Sequence, residues 1–321
     1  MKMKMMLAFA VSAAMGCASV TYADESKPRV AALFTQTVTQ GSWDMAGYAA
    51  FRSMATKEGF TPSYLEHTTY ESAPSVLRQL ASDGVKLIIA HSSGYSAAIK
   101  EVAPSFPNTQ FVLYSYESST NNLPNYSAWS VDWDEYGFVL GVLAATASKT
   151  GHIAVISGEP IPSAERTVQF IKKGAAYANP KVVVDSAYVG SFTDVARAKE
   201  IATGAIARGA DFVIPSADTA DAGIQQAADE EGVLTIGSYT DQAKSFPNSV
   251  MTSTVMNFDK SYADIGKHCA DHQLGNRIVT ENLATKGWTL AKPFAHVDKE
   301  VEEKVFKVID DLKAGKIKIE E

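Results

Sequence analysis

Two stretches of this chain repeat each other. Gly84-Val85-Lys86-Leu87-Ile88-Ile89 aligns without gaps on Gly209-Ala210-Asp211-Phe212-Val213-Ile214. The alignment continues with Ser93-Gly94-Tyr95 on Asp218-Thr219-Ala220 and Ala97-Ala98-Ile99 on Ala222-Gly223-Ile224. Both units run into a strand finishing Ser-Tyr, at Tyr116 and Tyr239. A repeated helix–strand–helix–strand unit requires two lobes of matching topology that present the same loops. If the lobes face each other, Ser93–Tyr95 lies opposite Asp218–Thr219, and Tyr116 opposite Tyr239. That predicts a cleft with polar and aromatic groups on both sides.

The rest of the chain fits two such lobes. Short apolar runs (Arg29–Phe34, Lys86–Ala90, Gln110–Tyr116, His152–Ser157, Asp211–Ala217, Leu234–Tyr239) alternate with helical patterns of 10–15 residues. That alternation predicts βαβ units and parallel sheets. The fold class is therefore α/β, two doubly wound parallel-sheet lobes joined by a hinge of crossing segments. The expected first lobe comprises 24–126 plus about 254–278, and the second 127–253 plus about 279–321. Three crossings are expected, near Tyr126–Trp133, Ser249–Val255 and Ile278, giving a hinge that bends without unravelling.

Residues 1–23 form a separate object. Lys2 and Lys4 precede an apolar stretch from Met5 to Met15, and Thr21-Tyr22-Ala23 offers a small-residue cleavage site. This is a secretory signal, too short to span a membrane. A lipid anchor on Cys17 is the less favoured alternative, because Ala14 and Met15 make a poor lipoprotein pattern. Removal of the signal leaves Cys269 as the only cysteine, so no intramolecular disulfide forms. With 29 basic against 36 acidic residues the net charge is −7, and no nucleic-acid partner is expected.

In open α/β sheets ligands collect at the carboxyl ends of strands, on loops held by a rigid base. Trp43 and Asp44 stand after the first strand, where a helix begins. Trp43 is read as a plate that stacks on a flat ligand, with Tyr95 or Tyr239 covering the other face. Ser93, Gly94 and Tyr95 follow a strand, as does Asp218, a candidate acceptor for ligand N–H groups. Ser93 and Asp218 could equally cap helices. Tyr116 and Tyr239 close their strands. Ile161, between Pro160 and Pro162, is a candidate apolar lid contact. Trp133 is assigned to hinge packing rather than to the site. His268 and His272 share a helical face but lack a third ligand, so no metal is assigned. Neither a phosphate-binding glycine loop nor a nucleophile elbow is present, and no cofactor or enzymatic activity is expected.

Several segments in order carry a resemblance: Arg78–Gly84 (RQLASDG), Gly94-Tyr95, Phe170–Pro180, Gly190–Lys199 (GSFTDVARAK), Gly209-Ala210-Asp211, Ile236-Gly237 and Asp241-Gln242. The chain resembles the basic membrane protein (BMP) family of type I periplasmic substrate-binding proteins of ABC importers. The resemblance implies a small purine-like ligand, a permease partner in the inner membrane, a periplasmic location and a monomer. Nucleoside-binding members carry an aspartate after the glycine corresponding to Gly237 and a lysine in a Thr-Ser-x-x-Lys strand, which hold the ribose hydroxyls. Here those places correspond to Tyr239 and Met256. The exchange predicts a flatter, less hydroxylated ligand, a nucleobase such as adenine rather than a nucleoside. Two other classes stay open, a ligand-binding sensor subunit and a periplasmic nucleoside-processing enzyme. The latter should show a carboxylate cluster at the first loop, where Asp44 stands alone.

Overall fold

The computed structural model describes residues 27–39, 41 and 43–320. The signal segment, Cys17, Gln40 and Ser42 lie outside the described residues. In chain order the first elements are β1 (Arg29–Leu33), α1 (Trp43–Glu58), β2 (Thr61–Leu65), α2 (Ala73–Ser82), β3 (Leu87–Ala90), α3 (Ser96–Val102), β4 (Gln110–Tyr114) and β5 (Tyr126–Val131). There follow α4 (Trp133–Ala147), β6 (His152–Ser157), α5 (Pro162–Ala178), β7 (Val183–Tyr188), α6 (Val195–Ala207), β8 (Phe212–Ser216), α7 (Asp221–Glu231) and β9 (Leu234–Gly237). The chain ends with β10 (Val250–Met256), α8 (Phe258–Ala270), β11 (Arg277–Glu281), β12 (Trp288–Leu290) and α9 (Lys299–Lys313).

Two six-stranded sheets result, in the orders β2-β1-β3-β4-β5-β11 and β7-β6-β8-β9-β10-β12. The pairs are parallel except β10–β12, which is antiparallel. Helices cover both faces, so the central strands are apolar throughout and divide their side chains by alternation. In the first sheet Val30, Ala32, Leu87, Ile89, Val112 and Tyr114 join one core. Ala31, Leu33, Ile88, Ala90, Phe111 and Leu113 face α2 and α3 in another. The repeat occupies equivalent positions: β3, a turn at Ser93–Tyr95 and α3 in one lobe, and β8, a turn at Asp218–Ala220 and α7 in the other.

The lobe boundaries differ from the expected ones by a few residues. All of β5 pairs in the first sheet, as does all of β11, so the crossings follow Val131, Met256 and Glu281. The expected segments are the strands leading into the crossings, because an apolar strand and an extended linker look alike in sequence. The crossings are tied to one another. Asp132 N–H donates to Glu281 O (2.7 Å), and Asn257 N–H donates to Gly287 O (2.8 Å). The buried Glu281 carboxylate accepts from Lys260 and Ser261 of α8. Glu135 of α4 accepts from Leu283 N–H (2.7 Å) and the Trp288 indole (3.2 Å).

One helix pair sits unusually close. A Cβ on Gly141 would stand 2.0 Å from Ile171 O, and one on Gly174 1.9 Å from Phe138 O. Glycine at these places lets α4 and α5 touch backbone to backbone, which fixes the starts of both helices relative to each other.

Candidate functional site

A void of about 50 Å³ lies between the lobes. Its wall draws on the carboxyl end of every strand from β1 to β9. Thr35 and Trp43 follow β1, Tyr70 follows β2, Ser92 follows β3, Ser115 follows β4 and Trp133 follows β5. Ile161, Ser163, Ala164 and Thr167 follow β6, Phe192 follows β7, Ser216 and Asp218 lie at the end of β8, and Tyr239 follows β9. Parallel strands bring all these loops to one edge, and the facing lobes bring the two edges together.

Trp43 is the centre of an aromatic cluster. Its ring stacks on His91 (centroids 4.7 Å apart, planes at 27°) and meets Tyr239 (5.1 Å) and Phe258 (5.2 Å) edge-on. Its indole N–H donates to His91 O (3.0 Å). One face of the plate is thus taken by the protein itself. His91 is fully buried and neutral, its pKa pushed down to about 3 by burial. Nε2 lies 3.2 Å from the Trp43 carbonyl, which can only accept, so the proton sits on Nε2. Nδ1 then accepts from the Tyr262 hydroxyl (2.7 Å).

Asp44 is buried beneath Thr35. Its Oδ2 accepts from Thr35 Oγ1 (3.1 Å) and Gln36 N–H (2.7 Å), while Oδ1 has no partner. Burial, and then the charge of Asp218, push its pKa up to about 8 against the pull of those two bonds. At neutral pH the Asp44 carboxyl is mostly protonated, so Oδ1 can donate as well as accept.

Two related hydrogen-bonded contacts join the lobes among the described residues. Trp43 N–H, at the start of α1, donates to Asp218 Oδ1 (3.0 Å). Ser163 N–H, at the start of α5, donates to Ser93 Oγ (3.2 Å), and the two serine hydroxyls are 3.1 Å apart. In each case the turn after the third strand of one lobe (β3 or β8) touches the helix that follows the first strand of the other (α5 after β6, or α1 after β1). The sequence predicts instead that the two repeat turns oppose each other. The observed offset arises because the first turns of α1 and α5 leave backbone N–H groups unpaired, and Asp218 and the Ser93 hydroxyl accept from them. Gly41 (φ 76°) permits the approach, since a Cβ there would stand 2.7 Å from Asp218 Oδ1. Asp218 (φ 53°) and Tyr239 (φ 65°) both hold left-handed backbone. For a tyrosine this conformation is strained, and such strain gathers where ligands are held.

The other sequence-derived candidates separate clearly. Ile161 lines the void, as do Trp43, Asp218 and Tyr239. Tyr95 does not: it is fully buried one layer behind, its hydroxyl donating to Thr68 O (2.6 Å) and its ring edge-on to Tyr70 (5.1 Å). Gly94 contributes room, since a Cβ there would stand 2.4 Å from the Tyr70 ring. Tyr116 also lies off the wall, with the Arg166 guanidinium 5.6 Å from its ring centre. Ser93 serves the contact between lobes. His268 Nδ1 donates to Asp264 O (2.7 Å), within its own helix.

Sequence reasoning missed Tyr70 and Phe192 and set Trp133 aside. All three are aromatics just beyond a strand end, the rule that singled out Trp43. Phe192 fits because Gly158 has no side chain; a Cβ there would stand 2.2 Å from its ring. Met256, by contrast, packs in the core rather than in the wall.

Known proteins share this architecture. A solute-binding protein of an ABC transporter system from Aeropyrum pernix K1 superposes with a TM-score of 0.80 at 17% identity, covering 91% of this chain and 92% of its own. In sequence, the transcriptional activator protein med of Bacillus subtilis is 28% identical over 78% of each chain. A purine-binding protein of Brucella abortus is 25% identical over 75% of this chain and 67% of its own. The ABC transporter nucleoside-binding protein BmpA of Lactococcus lactis is 25% identical over 82% of this chain and 79% of its own. With residues 27–321 matched by the model of the PnrA-like ABC transporter substrate-binding proteins, the chain belongs to the Bmp family.

Proposed function

We propose that this substrate-binding protein takes a purine base in preference to its riboside and delivers it, as a periplasmic monomer, to an inner-membrane permease without chemical change. The observation that carries the reading is the void itself. At about 50 Å³ between closed lobes it holds a few water-sized molecules, and its wall is aromatic on both sides. Admitting a base needs a modest separation of the lobes; a base with a ribose attached needs considerably more. Trp43, Trp133, Phe192 and Tyr239 supply flat apolar surface, and Asp218 supplies a carboxylate for ligand N–H groups. No lysine reaches the void from β10, where Met256 turns into the core. Closure is a population shift, favoured because ligand bridges groups on both lobes.

Calorimetry with adenine, guanine and hypoxanthine against their ribosides tests this directly. The bases should bind at least about tenfold more tightly, and a riboside preference would overturn the reading. Chromatography of the same mixtures should return each compound intact; hydrolysis of a riboside would make the protein an enzyme. A second reading, ligand sensing, is favoured by the name of the Bacillus subtilis relative. It shares this site and differs in the partner.

A further inference from the structure

Among the described tryptophans, two have their indole N–H satisfied: Trp43 by His91 O (3.0 Å) and Trp288 by Glu135 (3.2 Å). Two do not, Trp129 and Trp133. Trp129 lies in β5, edge-on to His268 at 5.5 Å, away from the void. Trp133 is different. It is 5% exposed, it lines the void, and its N–H has no acceptor.

The position of Trp133 is fixed from several sides. It is the first residue of α4, directly after a crossing, and Asp132 caps the helix by accepting from Asp134 N–H (3.1 Å) and Glu135 N–H (3.0 Å). Its ring packs edge-on against Tyr136 (5.4 Å, 78°) and tilted against Trp43 (5.7 Å). The close approach of α4 to α5 holds the helix start itself. A donor held this firmly at the wall of the void, with no protein acceptor, is available to whatever ligand fills the void.

We propose that the Trp133 indole N–H is a specificity-determining donor that selects ligands carrying an in-plane acceptor, an imine-type ring nitrogen or a ring carbonyl. The inference rests on the purine-base reading and sharpens it. An aromatic base clamped among rings must lie roughly edge-on to some of them, and its ring nitrogens project in its own plane. A ribose hydroxyl can rotate to meet a donor from many directions; a ring nitrogen cannot. The donor therefore reads both the presence and the placement of the acceptor. Sites built around a fixed hydrogen bond reject analogues that lack it far more strongly than apolar pockets reject a change of size.

The test compares adenine with 1-deaza-, 3-deaza- and 7-deazaadenine by calorimetry, on the wild type and on Trp133→Phe. Replacing one ring nitrogen by C–H leaves shape nearly unchanged. In the wild type one of the three analogues should bind at least about tenfold more weakly than adenine. In Trp133→Phe that ratio should fall to within about twofold, whatever the variant does to overall affinity, because lost ring area affects all ligands alike. A ratio that persists in the variant, or three analogues treated alike by the wild type, overturns the assignment of Trp133 while leaving the purine reading standing. Failure of adenine and hypoxanthine to bind the wild type at all removes both. If Trp133→Phe does not fold, wild-type protein labelled with 15N-tryptophan decides. Adenine should move the Trp133 indole resonance and slow its hydrogen exchange, with Trp129 as the unmoved control. An unmoved Trp133 resonance at saturating adenine refutes the proposal.

Discussion

Asp44→Asn should make the stability of this protein less sensitive to pH, and the size of the effect follows from the site. In the unfolded chain Asp44 ionises near 3.8; in the fold, burial and the neighbouring Asp218 raise its pKa to about 8. Between these values the folded state holds a proton that the unfolded state has released. Stability therefore falls as pH rises through that window, by about 1.4 kcal/mol per pH unit. Below the window both states are protonated and the contribution is complete; above it both are ionised and no more is lost. The full excursion corresponds to roughly 6 kcal/mol, an upper bound because water entering with the charge relieves part of it. Asparagine keeps the carbonyl that accepts from Thr35 and Gln36 and removes the ionisation. Urea unfolding followed by tryptophan fluorescence at pH 5, 6 and 7 gives the comparison. The variant should gain on the wild type by roughly 3 kcal/mol between pH 5 and 7. Asp221, raised to about 7 by burial, titrates in the same range, so the difference between the two proteins is the quantity to read. A difference that does not change with pH refutes the argument.

The contact between α4 and α5 predicts opposite outcomes for one substitution at two glycines. Gly174→Ala, with its Cβ 1.9 Å from Phe138 O, should cost about 3 kcal/mol or more and lower the melting temperature by several degrees. Gly204→Ala in α6 meets nothing nearer than Arg208 Nη1 at 3.6 Å and should be neutral or stabilising by up to about 1 kcal/mol. Trp43→Ala should weaken ligand binding and also destabilise the unliganded protein by about 2–4 kcal/mol in thermal unfolding, since it empties the centre of the aromatic cluster and unpairs His91 O.

The expected behaviour of Trp43 shows where sequence stops being sufficient. Its place at the first strand end is legible, and so are the two lobes, because alternating apolar runs and a gap-free repeat leave little choice of topology. What sequence hides is the second neighbour. His91 carries no pattern that ties it to Trp43, yet it covers the plate on which a ligand was expected to stack. Tyr95 and Tyr70 illustrate the same limit. Both follow strands, yet Tyr95 is buried with its hydroxyl on Thr68 O while Tyr70 lines the void in the room that Gly94 leaves. Crossing segments were displaced by a few residues because β5 and β11 read as extended linkers until their parallel pairing is seen. Asp44 could be located from sequence, but its protonation comes first from burial and then from Asp218, which is 174 positions away and belongs to the other lobe.

The glycine contact of α4 with α5 also bears on how such a protein can change its ligand over evolutionary time. It makes the part of the second-lobe wall carried by α4 and α5, from Trp133 to Thr167, a single casting: almost any side chain added at Gly141 or Gly174 disturbs that surface at once. The opposite wall is assembled from separate segments, with Thr35, Tyr70, Ser92 and Ser115 each following a different strand. New specificities are then most accessible by rewriting the loops of the first lobe against a second-lobe surface that stays as it is, so that one lobe drifts and the other serves as the template.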